Sequence, residues 1–182
     1  MKKKALLFLF TIILMTHSMF AIHAGATGEI TMSAAEYRAL QIINFGKQFL
    51  GTPYKWGGED LRNGIDCSAF TQQCFASVGY QLLRNSYAQA TQGVALSLDR
   101  STWQKGDLVF YNVNGKIGHV GIYLGNDELL HSNLTLNGIV ITHVEFCGPP
   151  VAARRIITIS GTVTVSPGDP ILPPNPNPPE PT

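Results

Sequence analysis

The sequence predicts an α+β domain in which helices come first and pack on a central antiparallel sheet, with a cysteine at a helix N-terminus. Apolar residues recur at helical spacing early in the chain, at Tyr37, Leu40, Ile43 and Phe49. They do so again at Cys67, Phe70, Thr71, Cys74, Phe75 and Val78. The period then changes to short β-rich runs separated by Asn-Gly and Gly-Asn-Asp turns, the pattern of an antiparallel meander. The two patterns follow one another without interleaving, so the strands pair directly and the helices cover a face of the sheet.

The first helix is expected from Ser33, because Ser33 followed by Glu36 forms a capping-box pattern, and Gly51 and Pro53 stop it. The stretch Thr52-Pro53-Tyr54-Lys55-Trp56-Gly57-Gly58 follows; its paired glycines permit a sharp turn or a close backbone approach. Asn63-Gly64-Ile65-Asp66-Cys67-Ser68-Ala69-Phe70 then leads into the second helix, which ends near Gly79. Asp66 and Ser68 are residue types that accept hydrogen bonds from free N–H groups at a helix start. A short polar helix spans Tyr87 to Gln92, closed by Gly93. Strands are expected at 106–111, 119–124, 128–132, 139–144 and within 151–159, with turns at Asn114-Gly115, Gly125-Asn126-Asp127 and Asn137-Gly138.

The folded domain is placed at residues 30–160, enough chain for one core. Ahead of it, Met1-Lys2-Lys3-Lys4, an apolar run from Ala5 to Phe20 and the small residues Ala24-Gly25-Ala26 read as a secretory signal peptide over residues 1–26. No cysteine precedes Cys67, so the expected product is periplasmic or secreted, without stable membrane insertion, and is not a lipoprotein. Residues 161–182 are expected to be a Pro-rich disordered tail; eight prolines fall between Ser166 and Thr182. Such a tail is either a plain terminus or a docking peptide for a protein partner. Without the leader, ten basic residues face twelve acidic ones, a net charge of −2, and no Lys/Arg run is present. Nucleic acid is therefore not an expected partner.

Three cysteines in an exported chain leave at least one unpaired. The count allows a Cys74–Cys147 disulfide, with Cys74 as a buried core residue the alternative; either leaves Cys67 as a free thiol. At a helix start the dipole favours the thiolate, the nucleophilic form. Residue type alone leaves Cys67 equally readable as a small core residue. His119 opens one strand and His131 lies on the next, across a tight turn, so cross-strand neighbours can join their rings. Nucleophile, base and orienting group are what thiol catalysis needs. In this reading His119 draws the proton from Cys67 to give a thiolate–imidazolium pair, His131 holds the His119 tautomer, and the Cys67 N–H forms half of an oxyanion hole. A zinc site is the competing use of these residues. The chain has no C-x-x-C or H-x-x-x-H pair, so no metal and no cofactor are expected. His143 falls at the polar phase of its strand and reads as a surface residue.

The motifs Gly51-Thr52-Pro53-Tyr54, Trp56-Gly57-Gly58, Gly64-Ile65-Asp66-Cys67-Ser68, Gly106-Asp107-Leu108-Val109-Phe110, Gly118-His119-Val120-Gly121-Ile122-Tyr123-Leu124-Gly125 and Ala153-Arg154-Arg155 occur in that order. Together they resemble the NlpC-type cell-wall cysteine peptidases, and within them the Spr-like murein endopeptidases. The resemblance covers residues 39–157 and implies a papain-like fold. It implies Cys67 as nucleophile, His119 as general base and His131 as the orienting residue. Tyr54 matches a tyrosine beside the nucleophile, and Asp66 and Ser68 flank the cysteine on the substrate or oxyanion side. The implied substrate is the peptidoglycan stem peptide or its cross-link, cut at γ-D-glutamyl–diaminopimelate or diaminopimelyl–D-alanine through a thioester. Ala69 departs from the family's usual glycine, either narrowing the cleft or adjusting helix packing, and Cys147-Gly148-Pro149-Pro150 replaces a usual aromatic stretch. Two other functions compete: a non-catalytic wall-binding module, and a papain-like amidase or acyltransferase acting on another substrate.

Overall fold

The computed structural model describes residues 28–168 and residue 171. The expected leader and most of the expected Pro-rich tail lie outside these residues.

Strand β1 (Ile30–Ser33) leads directly into helix α1 (Ala34–Lys47). The Ser33 hydroxyl caps the helix by accepting the Glu36 N–H at 3.1 Å, as the capping-box pattern predicts. The helix ends at Lys47, ahead of the expected stop at Gly51, and a turn continues to Gly51. Two short strands, β2 (Glu59–Asp60) and β3 (Gly64–Ile65), form a small hairpin in which Asp60 accepts the Arg62 and Asn63 N–H groups. Helix α2 (Cys67–Ala76) begins two residues later, and helix α3 (Ser86–Gln89) follows, capped by Asn85.

The remaining strands are β4 (Val94–Ala95), β5 (Leu108–Val113), β6 (Lys116–Gly125), β7 (Glu128–Asn133), β8 (Gly138–His143), β9 (Ala152–Arg155) and β10 (Thr162–Val165). Six of them form one antiparallel sheet in the order β4-β9-β5-β6-β7-β8. Asn114 (φ 52°) with Gly115 (φ 80°), and Asn126 (φ 51°) with Asp127 (φ 59°), place two successive residues at positive φ, as the mirror-image hairpin turns require. The predicted meander is thus present, with β9 returning to pair with β5.

Both faces of the sheet are buried, and alternation along the strands assigns each side chain. Leu108, Phe110, Val120, Ile122, Leu130 and Ile139 join Ile42, Ile43, Phe70, Cys74 and Phe75 in the core shared with α1 and α2. Val109, Tyr111, Tyr123, Leu129, Val144 and Ala153 form a second cluster with Trp103 on the opposite face. Gly46 lets α1 and α2 close on each other. A Cβ there would lie 3.0 Å from Cys74 Sγ, Phe70 and Leu130 at once, tighter than core packing accommodates. Arg155 grips the buried Asp107 with Nε and Nη2, one edge of its guanidinium, at 2.9 and 2.7 Å, tying β9 to the start of β5.

One sequence expectation needs correction, and one alternative that the sequence left open is decided. Thr162–Val165 pairs antiparallel with Ile30–Ser33, so the fold extends past residue 160 into what reads in sequence as tail. All three cysteines are free thiols. Cys74 is fully buried in the helix-side core while Cys147 packs against the opposite cluster, so the sheet separates the pair that the cysteine count allows. Among the described residues, no helix is long and apolar enough to cross a membrane.

Candidate active site

Cys67 is the first residue of α2, with Asp66 as its N-cap; the Asp66 carboxylate accepts the Ala69 N–H at 2.7 Å. The loop that delivers Cys67 is fixed from both sides. Pro53 O accepts the Ile65 N–H at 3.1 Å, and Gly58 O accepts the Asp66 N–H at 3.1 Å. Ser132 on β7 donates its hydroxyl to Ile65 O at 2.8 Å, which ties the loop to the strand that carries His131. Gly58 permits the close approach anticipated for the Gly57-Gly58 pair, since a Cβ there would lie 2.5 Å from Gly64 O. Trp56, at the tip of the same loop, is 84% exposed.

The side chains of Asp66 and Ser68 are committed to hydrogen bonds at the helix start. Ser68 donates to Asp66 Oδ1 at 3.0 Å, and Arg84 bonds Asp66 Oδ2 at 2.8 Å and Ser68 Oγ at 3.2 Å while also pairing with Glu59 at 2.6 Å. Gln89, fully buried, donates to Ser68 O and to Leu83 O. Arg84 and Gln89 are thus supports that the sequence reading missed. An arginine seventeen residues beyond Cys67 carries no local signal of its partner. Ala69 is 1% exposed and lies in the core, so its methyl packs among core side chains.

His119 on β6 and His131 on β7 project on the sheet face opposite α2, with Tyr111, whose ring lies 5.8 Å from that of His119. His119 Nε2 and His131 Nδ1 are 2.7 Å apart. One step along the register from Ile122↔Leu130, His131 faces Gly121, so the two histidines are diagonal neighbours and not directly opposed. Cys67 approaches β6 from the other face, where the backbone of Val120, one residue from His119, favours its thiolate, as do the backbone groups of Ser68 and Cys67 itself. Helix and strand thus bring Cys67 to the strand that carries His119, with no hydrogen bond between the two side chains among those of the structure.

We assign the histidine tautomers from the hydrogen bonds that they share with Thr142. Thr142 donates its hydroxyl to His143 O (3.2 Å), so its oxygen accepts at 3.1 Å from His131 Nε2–H. His131 Nδ1 then carries a lone pair and accepts from His119 Nε2–H. That leaves His119 Nδ1 unprotonated, a base directed away from His131. Thr142 was not foreseen; it reads in sequence as an ordinary β-former. His143 is exposed on β8, as its strand phase predicts.

Burial sets the charge states. It pushes the Cys67 thiol up to about 12, reinforced by the Asp66 carboxylate and opposed by the backbone of Val120, Ser68 and Cys67 itself. Burial also holds His119 down to about 4, and burial with the neighbouring His119 holds His131 to about 3. The resting site therefore favours a neutral thiol and neutral imidazoles, where the sequence pointed to an ion pair; desolvation outweighs the helix dipole. Tyr54, paired with Ile65 through a single bridge, is pushed up to about 12 by burial, then by Cys67 and Asp66, which keeps its phenol protonated.

Cys147 is the unanticipated member. It follows β8 in the loop before Pro149, with its sulfur 3.8 Å from His131 Nδ1 and 3.5 Å from the Asn133 amide that donates to it.

Residues 51–148 match the model of the NlpC/P60 family. A γ-D-glutamyl-L-lysine dipeptidyl-peptidase of Bacillus cereus is 42% identical over 94 residues, 50% of this chain and 27% of that protein. The Escherichia coli murein DD-endopeptidase MepS/murein LD-carboxypeptidase is 39% identical over 96 residues, 52% of this chain and 49% of that protein. The solved structure of the peptidoglycan hydrolase RipB from Mycobacterium tuberculosis superposes with a TM-score of 0.61 at 28% identity, covering 69% of this chain and 67% of that one. The chain spans half or less of the length of these two curated relatives.

Proposed function

As the chain belongs to the NlpC/P60 family of peptidases, we propose that it is an exported peptidoglycan endopeptidase in which Cys67 attacks a stem-peptide amide. The observation that carries this reading is the hydrogen-bond chain Thr142–His131–His119, which leaves His119 Nδ1 as a free base next to the strand position that meets the Cys67 sulfur. His119 takes the thiol proton as sulfur adds to the carbonyl, and His131 stabilises the imidazolium that forms. The N–H of Cys67 at the head of α2 and the Tyr54 phenol receive the developing oxyanion. The amine leaves with the proton from His119, and water, deprotonated by His119, releases the thioester.

The substrate bonds favoured by this reading are γ-D-glutamyl–diamino-acid and diaminopimelyl–D-alanine. The relatives' names, a γ-D-glutamyl-L-lysine dipeptidyl-peptidase and a murein DD-endopeptidase, support both. Export rests on the leader-like residues 1–26, and the Pro-rich end is proposed as a spacer or a docking peptide. Mass analysis of muropeptides before and after incubation with the protein is expected to reveal cleavage at one of the two bonds. Muropeptides bound but unchanged would favour a wall-binding module.

Because burial disfavours protonated His119, its base form persists as pH falls past the ordinary imidazole value of 6.5. The acid limb of kcat/KM is therefore expected near pH 4 and not near 6.5. A limb centred at 6.5 or above would mean that His119 is solvated in the working enzyme.

A second reading has one observation in its favour: Cys147 Sγ lies 3.8 Å from His131 Nδ1. As a nucleophile Cys147 is the weaker choice. It heads no helix, and the nitrogen it approaches already accepts from His119.

A further inference from the structure

His119 Nε2, His131 Nδ1 and Cys147 Sγ converge on one point of the sheet face away from α2, every pair of these atoms within 4.8 Å. We infer that these three atoms form a binding site for a borderline divalent cation of the Zn²⁺ type, and that occupancy switches the peptidase off. The donors are of the right kind, two imidazole nitrogens and one thiol, which tetrahedral zinc takes with a fourth position open. Zinc bonds of about 2.0–2.1 Å to nitrogen and about 2.3 Å to sulfur imply edges of about 3.4 Å between nitrogens and about 3.6 Å from nitrogen to sulfur. The sulfur already stands 3.8 Å from His131 Nδ1; the 2.7 Å bond between the histidines has to open, and the edge from the sulfur to His119, within 4.8 Å, has to settle near about 3.6 Å.

Supports for these ligands are in place. Thr142 holds His131 Nε2, the nitrogen facing away from the cation, and so presents Nδ1 with its lone pair forward. Asn133 aims an amide N–H at Cys147 Sγ, a contact that favours the thiolate ligand over the thiol. The three ligands come from β6, β7 and the loop after β8, which is why no short Cys/His spacing in the sequence announces them.

Inhibition follows from the tautomer. A cation on His119 Nε2 occupies the lone pair there and expels the proton that Nε2 shared with His131. The neutral ring then carries its proton on Nδ1 and can no longer accept one from Cys67. Binding releases the Cys147 proton to solvent, with no change in oxidation state. This inhibitory consequence rests on the Cys67–His119–His131 reading; cation binding itself does not.

The test separates the two. Titration of the Cys67→Ala protein with Co²⁺ is expected to give a thiolate-to-metal charge-transfer band, absent from the Cys67→Ala/Cys147→Ala protein. On an otherwise unchanged chain, Zn²⁺ is expected to inhibit muropeptide cleavage, with the inhibitory concentration raised at least about tenfold in Cys147→Ser and Cys147→Ala. No charge-transfer band, or a band that survives loss of Cys147, overturns the site. A band without Zn²⁺ inhibition, or inhibition indifferent to Cys147, overturns the switch. The spectroscopic arm holds even for a chain that cleaves nothing.

Discussion

Replacing Cys67 by alanine is expected to lower stem-peptide cleavage by about a million-fold, while Cys147→Ala keeps most of the wild-type rate. The contrast is large because the two thiols differ in what surrounds them. The backbone of Val120, Ser68 and Cys67 itself favours the Cys67 thiolate, and the sulfur stands at the positive end of a ten-residue helix. These groups stabilise the thiolate at the moment His119 removes the proton, even though burial keeps the resting thiol neutral. Cys147 has one amide donor and no helix, and burial alone pushes its thiol up to about 11. Steady-state rates on purified muropeptides check the pair. A Cys67→Ala protein retaining a tenth of the activity would remove Cys67 from the chemistry.

The second large effect falls on stability. Asp66→Ala is expected to cost about 2–3 kcal/mol, combining a lost N-cap of about 1 kcal/mol with the loss of a partly buried Arg84 partner. Arg84 is about a third exposed and keeps Glu59, so water offsets part of the second contribution. For a domain of this size the melting temperature should fall by about 10 °C. Asp66→Asn retains an acceptor for the Ala69 N–H and is expected to lose about half as much. Equal losses for the two variants would mean that the charge on Arg84 matters and the cap does not. Because Asp66 holds the first turn of α2, Asp66→Ala should also reduce kcat more than it raises KM.

Much of this arrangement was legible in the chain. The capping box at Ser33, the apolar face of α2 and the positive-φ turns at Asn114-Gly115 and Asn126-Asp127 are local signals, written within a few residues of where they act. Cys67 at a helix start was legible for the same reason. What the sequence could not convey depends on distant partners. Thr162–Val165 sits beside a proline-rich segment, and only its pairing with β1 shows it as part of the fold. Cys74 and Cys147 look like pairable cysteines until the sheet is placed between them. The bonds of Asp66 and Ser68 to Arg84 could not be read from the sequence because that partner lies beyond the helix they cap. The ion pair expected from the helix dipole gives way to neutral groups because the degree of burial at Cys67 and His119 is a tertiary property. Thr142 and Cys147 meet His131 through strand register and a loop, and neither carries a motif.

Trapping the acyl-enzyme tests the central claim most directly. Rapid acid quenching of the protein during turnover of a muropeptide, followed by mass analysis of its fragments, reads which thiol carries the substrate's acyl group. A stem-peptide fragment joined as a thioester to the segment containing Cys67 is the expected result. The same adduct on Cys147, or turnover with no adduct on any cysteine when deacylation is slowed, would contradict it.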